Sequence, residues 1–364
     1  MKTIHRIYYK NSNNMSELEE DSVDLIITSP PYPMIEMWDS IFSSLNDKIK
    51  ESLDDGAGKK AFLLMHEEMN RVWKECARVL KPGGIACINI GDATRKINNT
   101  FQLFPNHVNI TSYFQNNNFI SLPCILWRKP TNSPNKFLGS GMLPPNAYIT
   151  LEHEYILIFR KGNNKRKLEP KLDNRYNSAY FWEERNKWFS DVWMDIRGTA
   201  QNIKNKNNNG EIRERSAAFP LELPYRLINM FSIYEDTILD PFWGTGTTTF
   251  AAIISARNSV GYELNSQFKE LFESSLKSAI EINKMYNERR FQEHIKFIKQ
   301  HKKNGKDFKY KINNYNLPIV TKQEENIKFY SIKDYNKNDE KYVFRYEEYQ
   351  FERKPKFIQS RLIP

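Results

Sequence analysis

Apolar and polar positions along this chain fall into alternating blocks of strand and helix period. His5–Tyr9 is a short β-prone run. Ser22–Thr28 (SVDLIIT) is a largely apolar run, the mark of a strand buried on both faces. It stops at Ser29-Pro30-Pro31-Tyr32, where two prolines cannot donate to a ladder. Ala61–Val79 has helical spacing through Phe62, Met65, Met69, Val72, Trp73, Cys76 and Val79, and Leu80-Lys81-Pro82-Gly83-Gly84 reads as its stop signal. Ile85–Ile90 is the next buried strand. Phe119–Arg128 and Glu154–Arg160 read as two more, paired across a long loop at Lys129–His153.

Periodicity fades over 161–220, and Asn, Lys and Gly cluster in Gln201–Gly210, which predicts a flexible loop. Pattern resumes with a helix near Leu223–Phe231, a strand at Thr237–Asp240 and a Gly-rich turn at Pro241–Thr247. A helix over Thr248–Ala256, a strand at Ser259–Glu263 and a helix from about Ser266 to Lys284 follow. This alternation predicts an α/β fold: a Rossmann-like, doubly wound, mostly parallel sheet with helices on both faces. Elements beyond residue 285 are not placed by pattern, and no internal repeat is present. The expected organisation is a catalytic half at 1–160, a recognition insert at 161–215, a cofactor-binding half at 216–284 and a basic C-terminal extension at 285–364.

Composition narrows the class. The 364 residues carry a net charge of +10. Residues 161–220 hold +5 of it and 281–364 hold +8, while 1–160 are neutral and 221–280 are −3. Two basic attachments on a near-neutral body suit a polyanionic partner. No apolar run of about 18 residues is present to span a membrane, and the polar start MKTIHRIYYK lacks an apolar signal core. Three unclustered cysteines, Cys76, Cys87 and Cys124, make neither a disulfide framework nor a zinc set. A cytoplasmic setting and no metal are expected.

Two motifs carry candidate chemistry. Asp240-Pro241-Phe242-Trp243-Gly244-Thr245-Gly246-Thr247-Thr248 lies between strand and helix, where glycines admit close backbone approach by a ligand. Glu263 ends the next strand, the place for an acid that accepts from ribose hydroxyls. There is no GxGxxG, which disfavours a dinucleotide, and no GxxxxGK[ST], which disfavours a nucleotide triphosphatase. Thr28-Ser29-Pro30-Pro31-Tyr32 sits at a strand's carboxyl end. There Ser29 and proline-freed carbonyls offer acceptors to an exocyclic amino group, and Tyr32 a face for stacking. Read alone, either motif is also compatible with an ordinary turn.

Together, Ser-Pro-Pro-Tyr and DPFxGxGTT resemble the amino-methylating DNA methyltransferases that use S-adenosylmethionine. The catalytic motif precedes the glycine loop, as in the beta group of that family. The resemblance covers most of residues 5–270. It is supported by Arg78-Val79-Leu80-Lys81-Pro82-Gly83-Gly84, Trp127-Arg128-Lys129-Pro130, Glu152-His153-Glu154-Tyr155 and Phe219-Pro220. It implies catalytic roles for Ser29, Pro30, Pro31 and Tyr32. It implies cofactor contacts from Asp240, Phe242, Gly244, Thr245, Gly246, Thr247, Glu263, Phe219 and Pro220. The family's usual Gly-Asp pair after the first strand is replaced by Lys10-Asn11-Ser12, so Asn11 is expected at the adenine in place of an acid.

By the same resemblance the target base leaves the duplex and its amino nitrogen attacks the cofactor methyl directly. Serine in the first motif position is the habit of the cytosine N4 enzymes, while adenine N6 enzymes usually carry Asp or Asn there. Cytosine N4 is the expectation and adenine N6 the alternative. A protein or RNA methyltransferase, and a catalytically silent nucleic-acid-binding subunit, are readings from other classes. A carbon-methylating enzyme would need a cysteine, and Pro123-Cys124, inside LPCILW, is expected to be structural. The implied partners are double-stranded DNA, a cognate restriction endonuclease and a second copy in a homodimer. Lys165, Arg166, Lys167, Trp182, Arg185, Trp188 and Arg197 are candidate DNA-facing residues of the insert.

Overall fold

Val23–Thr28 is buried at all six positions, and in the computed structural model it lies inside a ten-stranded sheet. The structure describes residues 1–129, 138–197, 219–338 and 341–351. The expected loop at 201–210, and Pro130 of the Trp-Arg-Lys-Pro landmark, lie outside them.

The sheet runs in the order Val192–Trp193, Phe119–Arg128, His153–Lys161, Leu80–Ile90, Val23–Thr28, Thr237–Asp240, Asn258–Tyr262, Lys2–Tyr8, Lys341–Glu348, Tyr330–Asn338. The five strands from Leu80–Ile90 to Lys2–Tyr8 pair in parallel. Antiparallel pairs flank them on both sides. One face packs on the helices Gly58–Val79 and Asn106–Asn116, the other on Glu222–Phe231, Thr247–Ile254, Phe268–Leu276 and the start of Ala279–Lys303. This is the doubly wound arrangement that the alternation predicted.

Two details differ from the pattern reading, and a third fills the stretch that the pattern left unplaced. Leu80 already pairs with Val23, and the ladder resumes at Ile85–Leu25, so Lys81–Gly84 bulge within one strand. Gly83 takes φ +78° there, and a Cβ on it would meet the Arg166 backbone nitrogen at 2.3 Å. The helix expected over 266–284 is two helices, Phe268–Leu276 and Ala279–Lys303, the second running past residue 284. The stretch after 285 supplies sheet strands: Lys341–Glu348 pairs with Lys2–Tyr8 and covers that edge.

A third core cluster joins that stretch to the 178–190 segment. Phe181 packs with Phe291, Ile312, Ile319, Ile327 and Phe329. Arg290 makes a bidentate pair with Glu184 at 2.5 and 2.7 Å, both side chains at most 6% exposed. The Trp182 amide donates to Glu324 at 2.9 Å. Among the described residues no helix is long and apolar enough to cross a membrane.

Candidate active site

Adjacent central strands deliver both motifs to one place. Val23–Thr28 and Thr237–Asp240 are neighbours, so the turns after Thr28 and Asp240 leave the sheet side by side at its carboxyl edge. The Thr28 hydroxyl donates to Asp240 Oδ1 at 2.6 Å across 212 residues of sequence. Thr248, in the first turn of the following helix, donates to Oδ2 at 2.6 Å, and the Phe242 amide to Oδ1 at 3.1 Å. Asp240 is thus the pin between the two loops. Burial pushes its carboxyl up to about 6, against the three donors that favour the charge.

A cavity of about 440 Å³ opens between the loops, a size typical of small-molecule sites, about 300–1,000 Å³. Ser29, Pro30, Pro31 and Tyr32 line it at one end. Asp240, Phe242, Gly244, Thr245, Thr247, Glu263, Asn11 and Phe219 line the rest. Of the catalytic and cofactor-binding candidates, Gly246 and Pro220 alone are not among the lining. Gly246 caps the Thr247–Ile254 helix at φ +82°, and a Cβ on it would sit 2.5 Å from Phe272 and 2.6 Å from Trp243. Pro220 is buried beside Phe219 in sequence.

Glu263 holds the glycine turn. Its carboxylate accepts from the Gly244 amide and from the Asn265 amide, each at 2.8 Å. Burial raises its pKa, and the backbone donors oppose that shift. Asn11 Oδ1 accepts from the Asn13 amide at 2.9 Å, a local Asx turn at the cavity wall. The neighbouring Lys10 is paired with Glu17 at 2.7 Å. Phe242 is braced edge-on by Trp73 with ring centroids 5.5 Å apart.

The tyrosine end contains two residues that sequence reasoning gave no role. Tyr32 donates its hydroxyl to Glu154 Oε2 at 3.0 Å and receives Asn89 Nδ2 at 2.9 Å. Asn89 Nδ2 also reaches Glu154 at 2.7 Å, and Lys129 bonds the other carboxylate oxygen at 3.0 Å. The Ser29 hydroxyl lies 3.1 Å from the Tyr32 hydroxyl. Tyr32 has one proton, and Glu154 takes it, so Ser29 is the donor in that contact. Ser29 Oγ accepts weakly from Asn89 Nδ2 at 3.5 Å, and its remaining lone pair is the one offered to the cavity. Burial, and next the Glu154 charge, raise the Tyr32 pKa well above its usual value, so the phenol keeps its proton. Asn89 Oδ1 is buried without a hydrogen-bond partner, a further open acceptor in the same cluster. Behind the ring, a Cβ on Gly91 would stand 3.0 Å from Tyr32 Cε2.

Other sequence candidates find different places. Arg166 is held by Asp236 at 2.6 and 2.7 Å and by Asp24 at 3.1 Å, which makes it a structural cation. Trp188 is buried under Arg290. Lys165, Lys167, Arg185, Arg197 and Trp182 remain exposed. Cys124 is half-buried and does not line the cavity. Among the described residues no group of three or more His, Cys, Asp or Glu is placed to hold a metal ion.

The DNA methylase family model matches residues 23–274. The type II methyltransferase M.MthZI of Methanothermobacter thermautotrophicus is 52% identical over 351 residues, 96% of each chain. The type II methyltransferase M.MjaI of Methanocaldococcus jannaschii is 52% identical over 285 residues, covering 75% of this chain and 91% of its own. The solved structure of TTHA0409 from Thermus thermophilus, complexed with S-adenosyl-L-methionine, superposes with a TM-score of 0.57 at 30% identity. That match covers 76% of this chain and 95% of that one. A matched stretch holding both motif loops, and a relative alike from end to end, establish that this chain belongs to the N6/N4 DNA methylase family.

Proposed function

We propose that the protein transfers a methyl group from S-adenosylmethionine to the N4 amino group of cytosine at a specific site in duplex DNA, as the modifying partner of a restriction endonuclease. The observation that carries this reading is the cavity shared by the Ser-Pro-Pro-Tyr turn and the glycine turn, joined by the Thr28–Asp240 bond. The groups present fit the cofactor. The Glu263 carboxylate suits a ribose diol, Phe242 and Asn11 suit an adenine, and the glycine turn and Phe219 suit the amino-acid end. When bound, S-adenosylmethionine supplies the electrophilic methyl.

The chain's own residues do the rest. Tyr32 offers its face to an extruded base. Ser29 Oγ and the Pro30 carbonyl accept from the amino group and turn its lone pair toward the donor. Serine is neutral and its proton is engaged by Tyr32, so it acts as an acceptor without adding charge. Positioning of this kind needs no covalent intermediate. The proposed recognition segment, 161–215, presents Lys165, Lys167, Arg185 and Arg197 as phosphate anchors.

Single-molecule sequencing of DNA from cells expressing the protein tests the reading. N4-methylcytosine at one recurring sequence is expected. N6-methyladenine would overturn the choice of base, and unmodified DNA would favour a silent binding subunit.

A further inference from the structure

The chain leaves Tyr32 through a tight turn. The Ile35 amide donates to the Tyr32 carbonyl at 3.2 Å, with Pro33 and Met34 between them. Met34 takes φ +69°. Proline holds Pro33 at negative φ, so a positive φ at the next residue makes this a type II turn. That position ordinarily takes glycine or asparagine, because a bulky side chain is strained there. Methionine occupies it here, and its side chain is 1% exposed. The type I form would relieve the strain. The two forms differ by about 150° in ψ at the first central residue, which turns the central carbonyl over.

That central carbonyl is the one of Pro33, and it is held. Asn106 Nδ2 donates to it at 3.2 Å and to the Gly91 carbonyl at 2.9 Å. Asn106 Oδ1 can only accept, so His66 Nε2, 3.0 Å away, carries the proton. Burial brings the His66 pKa down to about 4, which keeps the ring neutral. Asn106 is 0% exposed and opens the Asn106–Asn116 helix. The next residue anchors it: the His107 amide donates to Asp92 at 3.1 Å, and His107 Nδ1 lies 2.8 Å from the same carboxylate. Gly91 stands behind the Tyr32 ring. One carboxamide therefore ties the turn that leaves Tyr32 to the strand end that backs its ring.

We propose that Asn106 is a positioning residue for methyl transfer, holding the Tyr32–Ile35 turn in its strained form and so fixing the Tyr32 ring at the cavity wall. A strained backbone persists only where its surroundings over-determine it. Without Asn106, Met34 relaxes to negative φ, the Pro33 carbonyl turns away and the ring leaves its backstop. This rests on reading Tyr32 as the face that meets the target base.

The test is a double-mutant cycle of Asn106→Ala and Met34→Gly in the full-length protein, on duplexes carrying the site mapped by sequencing. Single-turnover methyl transfer gives kcat, calorimetry gives cofactor Kd and thermal denaturation gives Tm. Asn106→Ala should lower kcat about tenfold or more, the strain of one backbone residue expressed as rate. Cofactor Kd should stay within about threefold, since Asn106 does not line the cavity. Glycine takes positive φ without strain. Adding Met34→Gly should therefore recover about threefold or more of the lost kcat while lowering Tm further, because a buried side chain is gone. A merely structural Asn106 predicts no recovery: kcat then falls with Tm or stays where it was, and that result overturns the proposal. So does an Asn106→Ala that keeps wild-type kcat. If Asn106→Ala does not fold, Met34→Val and Met34→Gly are compared in the otherwise native chain. A β-branched residue resists positive φ, so Val should be the slower of the two although Gly leaves the larger void; the reverse ranking overturns the proposal. Tyr32→Ala separates the two readings. Full activity there removes the role of Tyr32 and the latch with it, whereas an inactive Tyr32→Ala beside an unaffected Asn106→Ala removes the latch alone.

Discussion

Glu154→Ala takes away the group that orders the hydroxyls of the Ser29–Tyr32 turn and leaves the cofactor side of the cavity untouched. In the wild type the Tyr32 proton goes to Glu154 at 3.0 Å and Asn89 donates to the phenol at 2.9 Å, which leaves Ser29 to donate across 3.1 Å. Without the carboxylate, the Tyr32 proton turns to Ser29 Oγ and occupies the acceptor meant for the amino group. A hydrogen bond to a charged group contributes about 1.5–3 kcal/mol. If that difference appears in the barrier, kcat falls roughly 10- to 150-fold. Glu154→Gln keeps an acceptor and loses the charge, so its loss stays near the lower bound, about tenfold. The assay is single-turnover methyl transfer at saturating DNA and cofactor, with cofactor Kd by calorimetry and the melting temperature measured alongside. Cofactor Kd should hold within about twofold, because Glu154 does not line the cavity. Wild-type turnover in a normally folded Glu154→Ala would refute the proton ordering. Tyr32→Phe adds a control: it keeps the ring, so a loss there reports the hydroxyl network and not stacking.

Further predictions follow from single contacts. Gly91→Ala places a Cβ 3.0 Å from Tyr32 Cε2, so the ring must shift by tenths of an ångström; kcat should drop several-fold, about 1 kcal/mol of barrier, with cofactor Kd unchanged in the same assay. Gly246→Ala combines a left-handed backbone with contacts of 2.5 and 2.6 Å to Phe272 and Trp243, and thermal denaturation should show a marked loss of stability. Asp240 has a folded pKa of about 6 against an ordinary 3.8, so its folded state takes up a proton between those values. That carboxyl's contribution to stability is fully present below pH 3.8 and is lost as pH rises through 6, a change on the order of 3 kcal/mol. Urea unfolding at pH 4.5 and 7.5 should therefore show Asp240→Asn gaining on the wild type as pH rises, and a pH-independent difference would refute the assignment. Arg290→Met strands Glu184 in the third core and should cost about 3–5 kcal/mol of unfolding free energy.

Much of the central sheet was legible because its signals are local. Six consecutive buried residues at Val23–Thr28 and a strand–glycine–helix succession after Thr237 need no distant partner to be read. Asn89 and Glu154 were not legible as a pair. Each is one polar residue in or before an apolar strand, and only the register across 57 to 122 residues brings them to Tyr32. Arg166 misled for a related reason: its charge is evident in sequence, whereas the two buried aspartates that claim it lie far away in the chain. The stop signal at Leu80–Gly84 does end the helix at Val79, but the same residues go on to form a bulge inside the next strand, which starts at Leu80 and not at Ile85. The C-terminal strand did leave a trace, since Tyr342, Phe344 and Tyr346 are buried at alternate positions, but the dense surrounding charge hid the period.

The clamp between 178–190 and the C-terminal stretch has a consequence for inheritance and engineering. Phe181, Glu184 and the Trp182 amide are held from beyond residue 285, and Val192–Trp193 is stitched to the Phe119–Arg128 strand. The proposed reading head is therefore not a cassette. A hybrid that borrows residues 161–215 from a relative with another target sequence must also bring that relative's counterpart of 285–351, or it will arrive with half of its socket missing.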